Sequence, residues 1–262
     1  MDNHNSSSDL KARITEHIQE LAQATDAARV SEAMLKYLDM AARFHHYSIC
    51  NVWLILMTKP DATTVGGFKK WLSLGRCVRK GEHGIPILAP IFNKIIDEEG
   101  KEQDKLVGFK VVYVFDVSQT DGEPLPEPPD WKSPEKNAEL QEHLIRFAES
   151  KGIQVQVKSI GRDIQAVSLG GKIILDPEAG TKTLVHEIAH ELLHHEKNVL
   201  TDGTTRELEA ESIAFVVARH FGLDGLASPN YVALHGATAE LIMGCLERIR
   251  NTSAEIIQAI EN

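Results

Sequence analysis

Residues 181–197 read TKTLVHEIAHELLHHEK. The apolar positions Leu184, Ile188, Leu192 and Leu193 recur at helical spacing, so a helix is expected over Thr181–Lys197. On that helix His186 and His190 are four residues apart. Four residues is about one turn, so both imidazoles project from one face and can grip a single ion. Glu187 stands beside them. An ion held by three protein ligands keeps a fourth position for water and lowers the pKa of that water. Glu187 is therefore expected to act as general base, taking a proton from the attacking water and passing it to a leaving nitrogen. The chemistry this pattern points to is metal-assisted hydrolysis of a peptide bond.

A third ligand is needed, and the next helical stretch, Thr205–Phe221, carries Glu207, Glu209 and Glu211. Glu207 and Glu211 share a face, and Glu209 is directed roughly away from it. Glu207 is assigned to the metal. Glu211 is assigned to the outer ring nitrogen of a ligand histidine, where it fixes the tautomer. The reverse assignment stays open. Glu209 is expected on a solvated helix face, and His194 in a polar or partly buried helix end. Tyr231 and His235 are candidates for stabilising an oxyanion, against plain packing. Zinc suits the two-histidine, one-carboxylate set, and manganese or iron could also occupy it.

Around this core the chain is ordinary. It has 262 residues, 42% hydrophobic and 25% charged, as in a folded soluble protein. Its net charge of −10 disfavours a protein that coats nucleic acid uniformly. Cys50, Cys77 and Cys245 are scattered and odd in number with no CxxC pair, which supports neither a disulfide framework nor a cysteine zinc ribbon. No secretory signal is visible, and the apolar stretch Ile49–Met57 is too short to span a bilayer. A cytoplasmic protein with no membrane association is expected.

Gln119–Pro134 holds five of the ten prolines and reads as a linker. The expected organisation is a flexible leader over 1–8, one domain over 9–118, the linker over 119–134 and a second domain over 135–262. Charge divides with it: residues 26–120 carry +2 and residues 121–262 carry −10. The stretch 59–94 has seven basic residues against Asp61 and Glu82.

In the first part, helices are expected over Leu10–Ala22, Ala27–Phe44 and Asn51–Met57. A Gly-rich loop follows over 61–84. Strands come next over Ile85–Phe92 and Leu106–Phe115, joined by a charged connection at Asp97–Asp104. In the second part a helix over Pro134–Lys151 is followed by strands at Ile153–Val157, Ala166–Leu169 and Lys172–Leu175. A Gly170-Gly171 turn joins the last two. Helices near 237–250 and 253–261 close the chain. The fold class is α+β, with a small sheet and helices in each part. Lys172–Leu175 is a candidate edge strand to which an extended peptide could add.

Two resemblances arise from these residues. HEIAHELLHH (186–195) followed by RELEAESIAFVVARHFGLD (206–224) resembles the gluzincin-like metallopeptidases of the ImmA/IrrE type. That resemblance implies a zincin-like second domain with His186, His190 and Glu207 on zinc and Glu187 as base. The SPNYVALHG segment (228–236) departs from the usual apolar tail.

FHHYSICNVWLI (44–55), GGFKKWLSLGRCVRKGEHGIPILAP (66–90) and VFDVSQTDGEPLP (114–126) resemble the ArdC-type antirestriction domain, which binds single-stranded DNA. This second resemblance implies an antirestriction or mobile-element-protection role and single-stranded DNA as a partner, beside an unidentified protein or peptide substrate. The basic stretch is physically compatible: Lys69, Lys70, Arg76, Arg79 and Lys80 could neutralise phosphates, and Trp71 with Phe68 could stack on bases. The rival readings are a DNA-binding protein with a structural metal, and a regulatory peptidase that cuts a repressor.

Overall fold

The computed structural model describes residues 6–24, 27–96, 102–125, 134–161, 164–195, 202–223, 229, 234 and 237–262. Residues 97–101 of the charged connection, 126–133 of the linker, and Tyr231 and His235 lie outside the described residues.

The chain forms two compact units, and both are discontinuous. One comprises Met1–Ile18 with Cys50–Pro126, the other Gln19–Ile49 with Glu127–Asn262. A linear division at 119–134 therefore does not describe the whole arrangement. One chain crossing falls inside that stretch, but residues 19–49 belong with the C-terminal part.

The first unit starts with the part of α1 (Ser7–Gln23) that runs to Ile18. It begins inside the stretch expected as a leader, because Ser6 caps it. The Ser6 hydroxyl accepts from Asp9 N–H at 3.2 Å and the Asp9 carboxylate accepts from Ser6 N–H at 3.2 Å, a reciprocal cap. Leu10, Ile14 and Ile18 form its buried stripe. α3 (Ile49–Thr58) buries Val52, Trp53, Leu54 and Ile55. Asn51 on α3 clasps the backbone of Leu88 twice: its amide donates to Leu88 C=O at 3.0 Å and accepts from Leu88 N–H at 2.8 Å.

Leu88 lies on β3 (Ile85–Ile96), which pairs antiparallel with β4 (Glu102–Asp116). Both strands run past the ends expected for them. In the added stretch Lys94 sits opposite Asp104 and its exposed Nζ reaches Glu102 at 2.8 Å.

The stretch 61–84 is not a simple loop. It holds β1 (Val65–Gly67), which pairs with β4; the short helix α4 (Phe68–Ser73); and β2 (Arg76–Val78). β2 pairs with β5 (Thr120–Gly122), so the start of the expected linker is structured. Asp116 organises this corner. It accepts from the backbone N–H of Thr63 at 2.7 Å, Thr64 at 3.0 Å and Ser118 at 2.9 Å.

The second unit has a three-stranded sheet ordered β6 (Gln154–Val157), β8 (Lys172–Leu175), β7 (Ala166–Ser168). β8 is parallel to β6 and antiparallel to β7. It is therefore the central strand, which corrects the expectation that Lys172–Leu175 is an edge; β7 is an edge strand instead. Gly170 and Gly171 turn β7 into β8 with φ of +78° and +81°, a conformation that favours glycine at both positions.

The helices of this unit are α2 (Ala27–Arg43), α5 (Pro134–Ser150), α6 (Thr181–Leu193), α7 (Gly203–His220) and α8 (Ala239–Glu261). α6 ends four residues earlier than expected, at Leu193. α8 is one helix where two were expected, because Thr252 and Ser253 are buried inside it and no Gly or Pro falls at 250–253. α7 is buried almost all round from Leu208 to Ala218, against α6, α8 and α2. The architecture is α+β. Among the described residues no helix is long and apolar enough to cross a membrane.

The Asp116 carboxyl lies below the usual aspartate range. Burial pushes it up, but the bonds from Ser118, Thr63 and Thr64 outweigh that. A group depressed in the folded state stabilises fully above its unfolded pKa, about 3.9, and loses that contribution as pH falls through the folded value. In urea denaturation of the whole chain, Asp116→Asn is expected to lower the midpoint at neutral pH. The loss of stability between roughly pH 5 and pH 2 should also become shallower than in the wild type. An unchanged acid slope would refute this role.

Candidate metal centre

α6 and α7 lie side by side in the second unit and bring three side chains to one point. His186 Nε2 and His190 Nε2 are 3.0 Å apart. Glu207 on α7 places one carboxylate oxygen 3.5 Å from His186 Nε2 and the other 3.5 Å from His190 Nε2. Four ligand atoms held tetrahedrally about 2.0–2.1 Å from an ion would lie about 3.3–3.4 Å from one another. The three donors are thus spaced as a divalent ion requires. Burial lowers His186 below the usual histidine value, and burial with His186 and His194 lowers His190 to about 4. Both rings are therefore neutral and have lone pairs to give.

Glu211 lies at the outer nitrogen of His186, with its Oε1 3.6 Å from Nδ1. Its other oxygen accepts from Lys182 Nζ at 2.8 Å. Glu187 is half-buried at the rim of a cleft of about 500 Å³, which the three donors and β7 also line. Burial, reinforced by Glu207, pushes Glu187 up to about 7, against a backbone hydrogen bond from Ser168. A carboxyl poised near neutrality can both accept and release a proton.

The structure corrects the expectation for Glu209. It is 0% exposed rather than solvated, because α7 is buried along most of its length from Leu208 to Ala218. Its charge is answered by two partners. Arg248 on α8 donates to Oε1, through Nε at 2.7 Å and also through Nη2, and His194 Nε2 lies 3.0 Å from Oε2. Burial pushes the Glu209 carboxyl up, but these partners outweigh it and hold the carboxyl below the usual range.

His194 Nδ1 in turn lies 3.0 Å from His190 Nδ1. Hydrogen placement follows from this order. His194 Nε2–H donates to Glu209, so a neutral His194 accepts at Nδ1 from His190 Nδ1–H. His190 Nε2 is then the lone pair that faces Glu207 and His186. Sequence reasoning missed this role for Glu209 and His194. The available signal was an acid inside the apolar run of α7, and a histidine four residues beyond His190.

Glu191 is a second missed residue. Its carboxylate accepts from the backbone N–H groups of Leu169 at 3.0 Å, Gly170 at 2.9 Å and Gly171 at 2.6 Å. It thereby clamps the β7–β8 turn onto α6. Next to it, His195 Nε2 contacts the Ser168 hydroxyl.

In the first unit the residues expected to bind DNA divide into two sets. Trp71 is 1% exposed, with Nε1–H donating to Phe115 C=O at 2.9 Å, so it is a core anchor and cannot stack on a base. Arg76 is held by β5, through Thr120 Oγ1 at 2.8 Å and the carbonyls of Thr120, Gly122 and Glu123. Arg79 is bound to Glu82, Asp121 and Ser118 C=O. Lys69, Lys70 and Lys80 are exposed, and Phe68 is 51% exposed.

Fold and site together define an α+β protein of two units, the second carrying a His–His–Glu group able to hold a divalent ion. The chain belongs to the family described as the N-terminal domain of anti-restriction factor ArdC, whose family model matches residues 8–151. It is similar to an uncharacterized protein of Bacillus anthracis, 26% identical over 282 aligned positions that cover 88% of this chain and 48% of that protein. The chain thus spans about half the length of that curated relative. Among solved structures it is similar to the antirestriction ArdC protein from the R388 plasmid in two forms. The metal-free form is 20% identical, with a TM-score of 0.45, covering 82% of this chain and 84% of that one. The Mn(II)-bound form is 22% identical, with a TM-score of 0.43, covering 82% and 87%.

Replacing Glu209 with Ala would leave the buried His194 unanswered and Arg248 without its partner. This change is expected to cost about 3–5 kcal/mol of unfolding free energy. Chemical denaturation followed by circular dichroism measures it, and a loss below about 1 kcal/mol would mean that the pair does not hold the helices.

Proposed function

We propose that the second unit is a zincin-like, gluzincin-type metallopeptidase in which His186, His190 and Glu207 hold zinc and Glu187 is the general base. Manganese or iron could take the same donors. The observation that carries this reading is the triangle of donor atoms 3.0–3.5 Å apart, with the half-buried Glu187 on the same cleft. The ion, when bound, supplies a Lewis acid for the scissile carbonyl and makes water easier to deprotonate.

The remaining steps belong to the chain. Glu187 takes a proton from the attacking water at its carboxylate and delivers it to the leaving amide nitrogen. His194 and Glu209 hold the His190 ring in one orientation through the transfer. Glu211, 3.6 Å from His186 Nδ1, places a negative charge beside that ring without a hydrogen bond to it. The substrate lies extended along β7, the edge strand that lines the cleft, with its backbone pairing to that of β7.

The first unit is proposed to bind single-stranded DNA, and the whole protein to act in the cytoplasm in antirestriction. Membership of the ArdC family supports this reading. So does the exposed Phe68-Lys69-Lys70 stretch of α4, which pairs an aromatic face with two cations.

Two experiments test these proposals. Glu187→Gln should keep its metal by elemental analysis while peptide cleavage falls about 10²–10⁴-fold. Unchanged cleavage, or unchanged antirestriction, would favour a purely structural metal. In the full chain, Lys69→Glu with Lys70→Glu should weaken binding to an oligo-dT probe. It should also reduce the salt dependence by the share of about two phosphate contacts, roughly 1.4 in the log–log slope. Phe68→Ala should weaken binding by about 1–3 kcal/mol without changing that slope. If all three residues can be changed with no effect on binding, DNA does not bind at α4.

A further inference from the structure

A second set of metal-capable side chains lies in the second unit and uses none of the residues above. α2 stops at Arg43, and the chain turns through Phe44–Tyr47, closed by Tyr47 N–H to Phe44 C=O at 2.9 Å. His45 and His46 are the two central residues of that turn, which sets their rings side by side with centroids 3.8 Å apart. Glu261, the last residue of α8, comes to the same place. Its Oε2 is 3.6 Å from His45 Nε2. One donor atom from each of His45, His46 and Glu261 lies within 4.8 Å of the other two.

An independent observation makes this more than a surface cluster. His45 is 4% exposed, and neither of its ring nitrogens makes a full hydrogen bond among the described residues; the nearby Ala42 carbonyl acts on it only weakly and is taken by His220 Nδ1–H. A buried polar group left unanswered is costly, and such groups are normally met by protein, water or an ion.

His220, the last residue of α7, lies edge-on to His45. Its Nδ1 donates to Ala42 C=O at 2.9 Å and its Nε2 meets Glu261 Oε1 at 2.9 Å. With Nδ1–H given to Ala42, His220 holds the carboxylate from behind as the imidazolium, whose Nε2–H donates to Oε1 and leaves Oε2 toward His45. α2, α7 and α8 all end here, and helix C-termini carry partial negative charge that favours a cation. His46 and Glu261 are exposed enough to draw in around an ion, as the 4.8 Å spread requires.

We propose that His45, His46 and Glu261 form a second site for a divalent transition-metal ion of the zinc class, with His220 as the positioning residue for Glu261. Its role is to tie the turn after α2 to the end of α8. This assignment does not depend on the peptidase reading.

The test uses the untagged full chain, stripped of metal, reloaded with Zn(II) alone and passed over a sizing column before elemental analysis. Wild type should retain two zinc ions per chain. His46→Gln and Glu261→Gln should each retain one, with unchanged circular dichroism because both positions are exposed. His190→Ala should also retain one, and His190→Ala with His46→Gln none. Zinc should raise the Tm of His190→Ala and leave that of the double variant unmoved. Loss at His46 should exceed the roughly 10–100-fold weakening expected if this residue only oriented another ligand. The proposal is overturned if wild type holds one ion that His46→Gln leaves in place, or holds two that survive both His46→Gln and Glu261→Gln. A single ion lost with His46→Gln and indifferent to His190→Ala would support this site and reject the first.

Discussion

The second unit depends on how one buried negative charge is answered. Glu209 lies fully buried on α7, among Leu208, Ala210 and Ile213 of the same helix. An ionised carboxylate there is tolerable only when its lone pairs are met by good donors. Arg248 meets one oxygen from α8 and His194 meets the other from the residue that ends α6. A single side chain thus fixes three helices relative to one another. Because His194 also accepts from His190, the same constraint sets which nitrogen of His190 is free. Packing and the candidate chemistry are here one hydrogen-bonded line.

The other wall of the cleft rests on a similar economy of donors. The turn between β7 and β8 directs three consecutive backbone N–H groups at Glu191. Two glycines at positive φ make that concave backbone possible. The result is a short strand held against α6 beside the histidines, although Ala166–Ser168 has little hydrophobic weight of its own. Both clamps place a carboxylate where only a set of converging donors makes it stable.

In the first unit, aromatic and basic residues that are neighbours in sequence are put to opposite uses. Trp71 turns inward to a carbonyl of β4, while Phe68, three residues earlier on the same short helix, faces solvent. Arg76 and Arg79 serve to tie β2 and its turn to the segment 118–123, which leaves the lysines as the cations with no such structural task among the candidates of this stretch. The charge excess of 59–94 was visible in composition. Which of its members are available was not.

The local features are legible in the residues alone. The periodicity of 181–193 requires a helix, and four-residue spacing puts His186 and His190 on one face of it. The same spacing puts Glu207 and Glu211 on one face of the next helix. The central strands, the Gly170-Gly171 turn and the α+β class were legible for the same reason: each is set by neighbours within a few residues. Tertiary structure decided what depends on distant partners. It made Glu209 a buried link rather than a surface acid, and Lys172–Leu175 a central strand rather than an edge. It took residues 19–49 into the C-terminal unit and set His45 and His46 against Glu261, more than two hundred positions away. Backbone periodicity reports only which residues share a face, whereas burial, pairing and protonation depend on what that face meets.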